Sequence, residues 1–197
     1  TEEERLHHFL WRPTRVLPSR GEIAIFNRSY YEEVLVVRVH PEFLNSQWIP
    51  NDLRKDHKKL WKSRFDEINE FERICWRNNI LILKFFLNVS KKEQRKRFLA
   101  RLDDPAKNWK FSMADLRERG FWDDYQSAYE DMLQATSTDV APWYVVPADK
   151  KWFSRACVAD IITSRIEHLK LRYPTVPESE RERLAEAKRQ LEAENDK

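Results

Sequence analysis

Apolar positions recur along this chain with two different periods. Leu60, Trp61, Phe65, Ile68, Phe71, Ile74 and Cys75 return at steps of three and four, which predicts a long amphipathic helix. The next segment, NILILKFFLNV, is a continuous apolar run, as in a strand covered on both faces of a parallel sheet. Two shorter runs, in residues 22–27 and in PWYVVPA, predict two more strands. Residues 30–39 predict a helix with Val34, Leu35, Val37 and Val39 inward. Ser29 and Glu32 are spaced as a capping box at its start, as are Ser90 and Glu93 ahead of KKEQRKRFLARL. Ser112 and Asp115 predict a helix start in FSMADLRER, and FWDDYQSAYEDML reads as helical.

Residues 1–12 read as a helix end with Leu6, Phe9 and Leu10 on one side, HPEFL as a short helix opened by Pro41, and PNDLRKDHKK as a polar connector. A long helix over DKKWFSRACVADIITSRIEHLKLRY closes the pattern. A charged helical tail, 178–197, carries Leu184 and Leu191 seven apart. Strands alternating with long helices predict an α/β domain with a parallel sheet.

Composition narrows the function classes. At 197 residues the chain suits one domain with a real core. Charged residues make up 35%, yet the net charge is only +3, so the distribution of charge matters more than its sum. Gly21 and Gly120 are the two glycines, too far apart for a G-x-x-x-x-G-K-[ST] phosphate loop and too few for a G-x-G-x-x-G dinucleotide fingerprint. Cys75 and Cys157 lie far apart, and the five histidines lack ligand spacing, so disulfide, zinc and histidine-metal readings are poor and a reduced cytoplasmic protein is expected. No apolar run approaches the roughly 18 residues of a membrane helix, and TEEERLHHFLW is unlike a signal peptide. Neither nucleic acid nor membrane is an expected partner.

Two places carry candidate chemistry. Arg28 follows the apolar run 23–26 and precedes a predicted helix. Ligands of open α/β sheets bind outside the strands' carboxyl ends, and helix N-termini favour anions, so a cation there builds an anion site. Its plainer reading is a surface ion pair with Glu32 or Glu33. Asn27 offers an amide oxygen and Glu32 a carboxylate suited to hydrated Mg²⁺; turn formation and helix capping are their structural alternatives. The second place is the basic stretch 91–110. Arg97 and Arg101 share a helix face, and Lys107 and Lys110 flank Trp109 beyond it. Arginine's planar fork suits phosphate oxygens, whereas Lys91, Lys92 and Lys96 read as a solvated face. Trp109, Trp122 and Trp143 are aromatics that could stack on a base and are more often core.

The segments GEIAIFNRSYYEEVLVVRVHP, ILKFFLNVSKKEQRKRFLARLDDPAKNWKFSMADL, WDDYQSAYEDMLQATST and APWYVVPADKKW closely resemble the polyphosphate kinase type 2 family, over about Glu3 to Pro174. They look most like the branch acting on nucleoside mono- and diphosphates alike. The resemblance implies a P-loop kinase-like three-layer α/β/α domain over 1–177, with a lid near 91–119. It implies phosphoryl transfer between inorganic polyphosphate and a nucleotide with Mg²⁺, and a homo-oligomer. Arg28 matches the family's phosphate-binding arginine, and Asn27 stands where other branches carry Asp. Arg101, Lys107 and Lys110 match the basic lid. Asn27 and Glu32 become the metal candidates, Arg28 and Arg101 the catalytic cations, and Ser29, Tyr30, Arg97, Lys107 and Lys110 the polyphosphate and nucleotide contacts.

Family members carry a glycine-rich phosphate loop upstream of the segment matching FLWR, and this chain starts just before FLWR. The resemblance therefore implies a domain without that loop, its central strand and its helix. Weak activity and aggregation-prone strand edges are expected of the chain alone. A non-catalytic polyanion-binding or assembly protein is the alternative, and an ATP-dependent nucleotide kinase a more distant one.

Overall fold

The computed structural model describes residues 1–194. In chain order the helices are α1 (Glu2–Arg5), α2 (Trp11–Arg15), α3 (Glu32–Val39), α4 (Asn51–Lys55) and α5 (His57–Arg77), then, after strand β1 (Lys84–Asn88), α6 (Lys91–Leu102), α7 (Met113–Glu118) and α8 (Trp122–Thr136). Strand β2 (Trp143–Pro147) precedes α9 (Lys151–His168) and α10 (Glu178–Ala193). Short 3-10 helices cover Pro41–Ser46, Asn108–Lys110 and Arg119–Phe121. The chain divides into two compact units, Thr1–Val158 and Ala159–Lys197. The first holds the sheet, the core and every candidate site residue. The second has the helical C-terminal part of α9 and α10, whose residues are all at least partly exposed.

The α/β expectation holds, with a smaller sheet than predicted. β1 and β2 pair in parallel, Lys84 against Trp143 through Asn88 against Pro147. The third predicted strand, 22–27, is not one: among the described residues it has no ladder partner, and Ile23 and Ile25 stay 82% and 89% exposed. An apolar run becomes a strand only where a neighbouring backbone takes up its N–H and C=O groups. Likewise only Lys84–Asn88 of NILILKFFLNV is paired.

The amphipathic helix predicted from the apolar stripe is α5. Asp56 caps its start by accepting from the Lys59 amide at 3.0 Å. Leu60, Ile68, Phe71 and Cys75 are buried, whereas Ile74, counted in the stripe, is exposed. Its end is a Schellman turn: the Ile80 amide donates to the Cys75 carbonyl and the Asn79 amide to the Trp76 carbonyl, both at 3.0 Å. Asn79, at φ 61°, takes the left-handed position that glycine usually fills. The main core gathers Leu10, Tyr31, Val34, Ile68, Phe71, Cys75 and Met132, joining α3, α5 and α8; a second cluster joins Leu44, Ile49 and Leu60.

The two capping boxes are only partly built. Ser90 accepts from the Glu93 amide at 3.1 Å, but the Glu93 carboxylate turns to Arg97 instead of the cap backbone. At α3 the box is absent: Ser29 Oγ meets the Tyr31 amide at 3.4 Å, and Tyr31, without a capping bond of its own, is the N-cap. The helix begins late because Arg28 lies at φ 66° and the chain still turns at Ser29. The polar connector contains a real helical turn, α4.

Candidate active site

Residues 24–26 have no regular secondary structure, the chain bends at Asn27 and Arg28, and a turn at Tyr30–Tyr31 leads into α3; α2 lies across from this segment. Between them lies a cavity of about 660 Å³. Asn27, Arg28, Ser29, Tyr30 and Glu32 all line it, opposite Phe9, Arg12 and Pro13. Five of the nine predicted site residues thus share one concavity. Among the described residues, the side chains of Asn27, Arg28 and Glu32 take part in none of the hydrogen bonds or ion pairs, so ion pairing does not account for Arg28 nor capping for Glu32, while Asn27 sits at the bend its type favours. Among the described residues, Arg28 is also one of three non-glycine residues with positive φ. Such strain costs on the order of 1–3 kcal/mol and gathers at functional sites.

The neighbouring carboxylate behaves differently. Glu33 is buried; it accepts from Arg64 Nε at 3.2 Å and from Gln47 Nε2 at 3.0 Å. Arg64 also lies over the Phe9 ring, its guanidinium carbon 4.5 Å from the centroid. Burial pushes the Glu33 carboxyl above its ordinary range, with Arg64 working against that shift. Glu33 therefore braces the cavity wall, and Glu32 is left as the available oxygen donor.

Two contributors are illegible in the sequence. Arg12 adds a second guanidinium to the lining and pairs with Glu4 at 3.5 Å. Tyr129, on α8, does not line the cavity, but its hydroxyl lies within the field of both site charges. Burial pushes its hydroxyl up, the Glu32 carboxylate adds to this, and the Arg28 guanidinium opposes it. Neither residue carries a local motif, and of the two only Arg12 lines the cavity.

The hydroxyls of Tyr30 and Tyr31 both donate to Glu72 Oε1 at 2.8 Å. Tyr30 thus lines the cavity with its body and turns its hydroxyl to the interior. Burial and the Glu72 carboxylate together raise both phenols far above their ordinary range.

The basic segment 97–110 is separately organised. Arg97 donates from Nε to Glu93 at 3.0 Å and from an η nitrogen to the carbonyls of Ala148 at 2.6 Å and Asp149 at 3.1 Å, tying α6 to the end of β2. Arg101 lies over Phe98, with Asp115 3.8 Å away. Lys107 pairs with Asp104, and the Lys110 ammonium sits 4.9 Å from the centre of the exposed Trp109 ring. Asn108 closes the turn by donating to the carbonyls of Arg101 and Leu102. Among the described residues, no hydrogen bond or ion pair joins this segment to Arg28. Trp143 is half-buried against Tyr31 in the core, and Trp122 stacks with cations: Lys91 and Arg119 lie 5.7 and 5.9 Å from its ring.

Asn27 and Glu32 together offer an amide and a carboxylate oxygen at one cavity. That donor set suits Mg²⁺, which binds one or two protein oxygens and takes its other ligands from water and phosphate. Among the described residues, no group of three or more His, Cys, Asp or Glu side chains could form an all-protein metal cage. Nor is any helix among them long and apolar enough to cross a membrane.

The family model for Polyphosphate kinase 2 matches residues 1–174. The chain belongs to the polyphosphate kinase 2 family. Over 188 residues it is 52% identical to an ADP-polyphosphate phosphotransferase of Rhodopseudomonas palustris, covering 95% of this chain and 65% of that one. It is 45% identical to an AMP/ADP-polyphosphate phosphotransferase of Meiothermus ruber, covering 93% and 64%. The crystal structure of Polyphosphate Kinase 2 from Arthrobacter aurescens superposes with a TM-score of 0.81 at 41% identity, over 94% of this chain and 62% of that one. The chain thus spans just under two thirds of the length of these polyphosphate kinase 2 relatives.

Proposed function

We propose that the protein transfers a phosphoryl group between inorganic polyphosphate and nucleoside mono- or diphosphates, with Mg²⁺, within a P-loop kinase-like α/β/α domain. One observation carries the reading: Asn27, Arg28 and Glu32 line a single cavity with their side chains uncommitted. The names of the relatives supply the substrate class. The two cysteines, both unpaired, suit a reduced cytoplasmic setting, and the family suggests a homo-oligomer.

Phosphoryl transfer asks a protein for in-line positioning and for cations on the shared oxygens. Arg28 presents a guanidinium fork to the transferring or acceptor phosphate. The left-handed backbone at Arg28 breaks the approach to α3 there and aims the side chain apart from its neighbours. Asn27 and Glu32 would hold Mg²⁺, which when bound neutralises phosphate charge. Ser29 and the Tyr30 ring form the adjoining wall. Arg101, Lys107 and Lys110 meet the polyphosphate chain from the lid, a polyanion that needs a basic track as nucleic acids do. Arg97 contributes by holding α6 to β2.

The test is Arg28→Ala in a protein of the relatives' full length, incubated with polyphosphate, AMP or ADP, and Mg²⁺. Product formation should fall about 100-fold, as when one transition-state donor is removed. Unchanged turnover refutes the role of Arg28. Salt-sensitive polyphosphate binding without transfer, in the unaltered protein, would identify a polyanion-binding protein instead.

A further inference from the structure

Behind the cavity lies a buried polar cluster with no part in the chemistry above. Glu72 is fully buried on α5, and Lys84, the first residue of β1, is 5% exposed. The Lys84 ammonium has three protons, and each has an acceptor: Glu72 Oε2 at 2.7 Å, the Thr136 carbonyl at 2.7 Å and the Tyr31 hydroxyl at 2.9 Å. The other Glu72 oxygen accepts both tyrosine hydroxyls. Thr136 is fixed in turn, its hydroxyl donating to the Met132 carbonyl and accepting from the Trp143 indole at 2.9 Å. The Glu72–Lys84 pair therefore links α5, β1, the end of α8 and the two residues that lead into α3.

A buried ion pair seldom stabilises more than well-packed apolar side chains of the same volume. Its value lies in direction, since a complete hydrogen-bond network admits one arrangement. Tyr30 and Tyr31 follow Arg28 by two and three positions, and Arg28 holds an unfavourable φ of 66°. Something must hold the chain there. The Ser29 carbonyl accepts from the Glu32 amide at 3.1 Å and its Oγ makes one long bond to the Tyr31 amide, both within the turn, whereas the tyrosine hydroxyls make two short bonds to an acceptor fixed on another helix.

We propose that Glu72, held by Lys84, is a positioning residue for the phosphate-binding arginine: it anchors Tyr30 and Tyr31 and so keeps Arg28 in its left-handed, outward-aimed conformation. This rests on the phosphoryl-transfer reading above for its kinetic consequence, and on the network alone for its structural one.

The test is a double-mutant cycle of Tyr30→Phe and Arg28→Ala in the full-length protein, with a crystal structure of Tyr30→Phe. Tyr30→Phe leaves Glu72 its bonds to Tyr31 and Lys84, so the protein should fold. We expect kcat to fall about tenfold, the scale of a sub-ångström misplacement, and Arg28 to leave positive φ in the crystal. In the Arg28→Ala background the same change should cost less than about twofold, because its effect passes through Arg28. A purely structural tyrosine would lower activity equally in both backgrounds. Additive losses, or an unmoved Arg28 backbone, would overturn the proposal. If the unaltered protein transfers no phosphate, the activity is refuted, and the φ of Arg28 in the variant still decides the anchoring.

Discussion

His40 Nε2 lies 2.8 Å from Glu118 Oε2, across 78 residues of chain. The Tyr125 hydroxyl donates to the same oxygen at 2.8 Å, and Phe121 meets the His40 ring edge-on. The C-cap of α3 is thereby latched to α7, the helix that follows the basic segment.

His40→Ala should release that latch. We expect a stability loss of about 1–2 kcal/mol, the scale of one part-buried charged hydrogen bond, and faster amide exchange confined to residues 113–121. Hydrogen exchange read by mass spectrometry checks this, and uniform exchange across α7 and α5 would refute it. The Glu118 carboxyl sits below its ordinary 4.5, since the bonds from His40 and Tyr125 outweigh the opposing effect of burial. Its contribution is therefore complete above about pH 4.5 and fades as pH falls through the lower folded value. Glu118→Gln should cost stability at pH 7 and progressively less as pH falls below about 4.5.

Arg28→Gly separates strain from function. Glycine occupies φ 66° without a Cβ penalty, so stability should rise by up to about 1 kcal/mol. Phosphoryl transfer should drop about 100-fold, as for alanine. Thermal melts and turnover measured on one preparation would show the two moving in opposite directions.

Alkali should unfold the protein through its tyrosines. Burial and Glu72 raise the Tyr30 and Tyr31 phenols, and burial with the Glu118 carboxylate raises Tyr125. The folded state keeps these protons where the unfolded chain, at its ordinary value near 10, gives them up. The stabilisation is thus full below about pH 10 and is lost as pH rises further. Phenolate absorbance at 295 nm from these residues should appear together with loss of helical circular dichroism, not before it.

Arg97 and Lys110 should respond differently to substitution. Arg97→Ala removes donors to two carbonyls at the end of β2 and should lower stability by about 1–3 kcal/mol. Lys110→Gln should leave the melting temperature within a degree or two, while weakening tripolyphosphate binding and flattening its salt dependence. Calorimetric titrations at two salt concentrations distinguish them.

The long helices were readable because their signal is periodic and local, as in α5, where the apolar stripe marked the helix although its Asp56 cap lay in what reads as a polar connector. Residues 22–27 misled because a strand is a relation between two backbones, and the run AIF says nothing about whether a neighbour is present. The Ser29–Glu32 spacing misled for a related reason, since the helix begins at Glu32, two residues later than predicted, beyond the turn that follows Arg28. At the site, Asn27, Arg28 and Glu32 could be found from their place between an apolar run and a helix. Arg12, Tyr129 and the Glu72–Lys84 pair could not, since tertiary packing alone brings them near it. Arg97 looked like its neighbour Arg101, and only the carbonyls of Ala148 and Asp149 tell the two apart.

The parallel pairing of Lys84 with Trp143 also sets an order of events during folding. Everything from α6 to α8, the basic segment included, lies between those partners, so the sheet can close only after that stretch has contracted. Closing so long a loop is entropically costly while the intervening chain is extended, and becomes cheaper once α8 has docked on α3 and α5. Substitutions in the basic segment should therefore slow refolding even where they leave the finished structure intact.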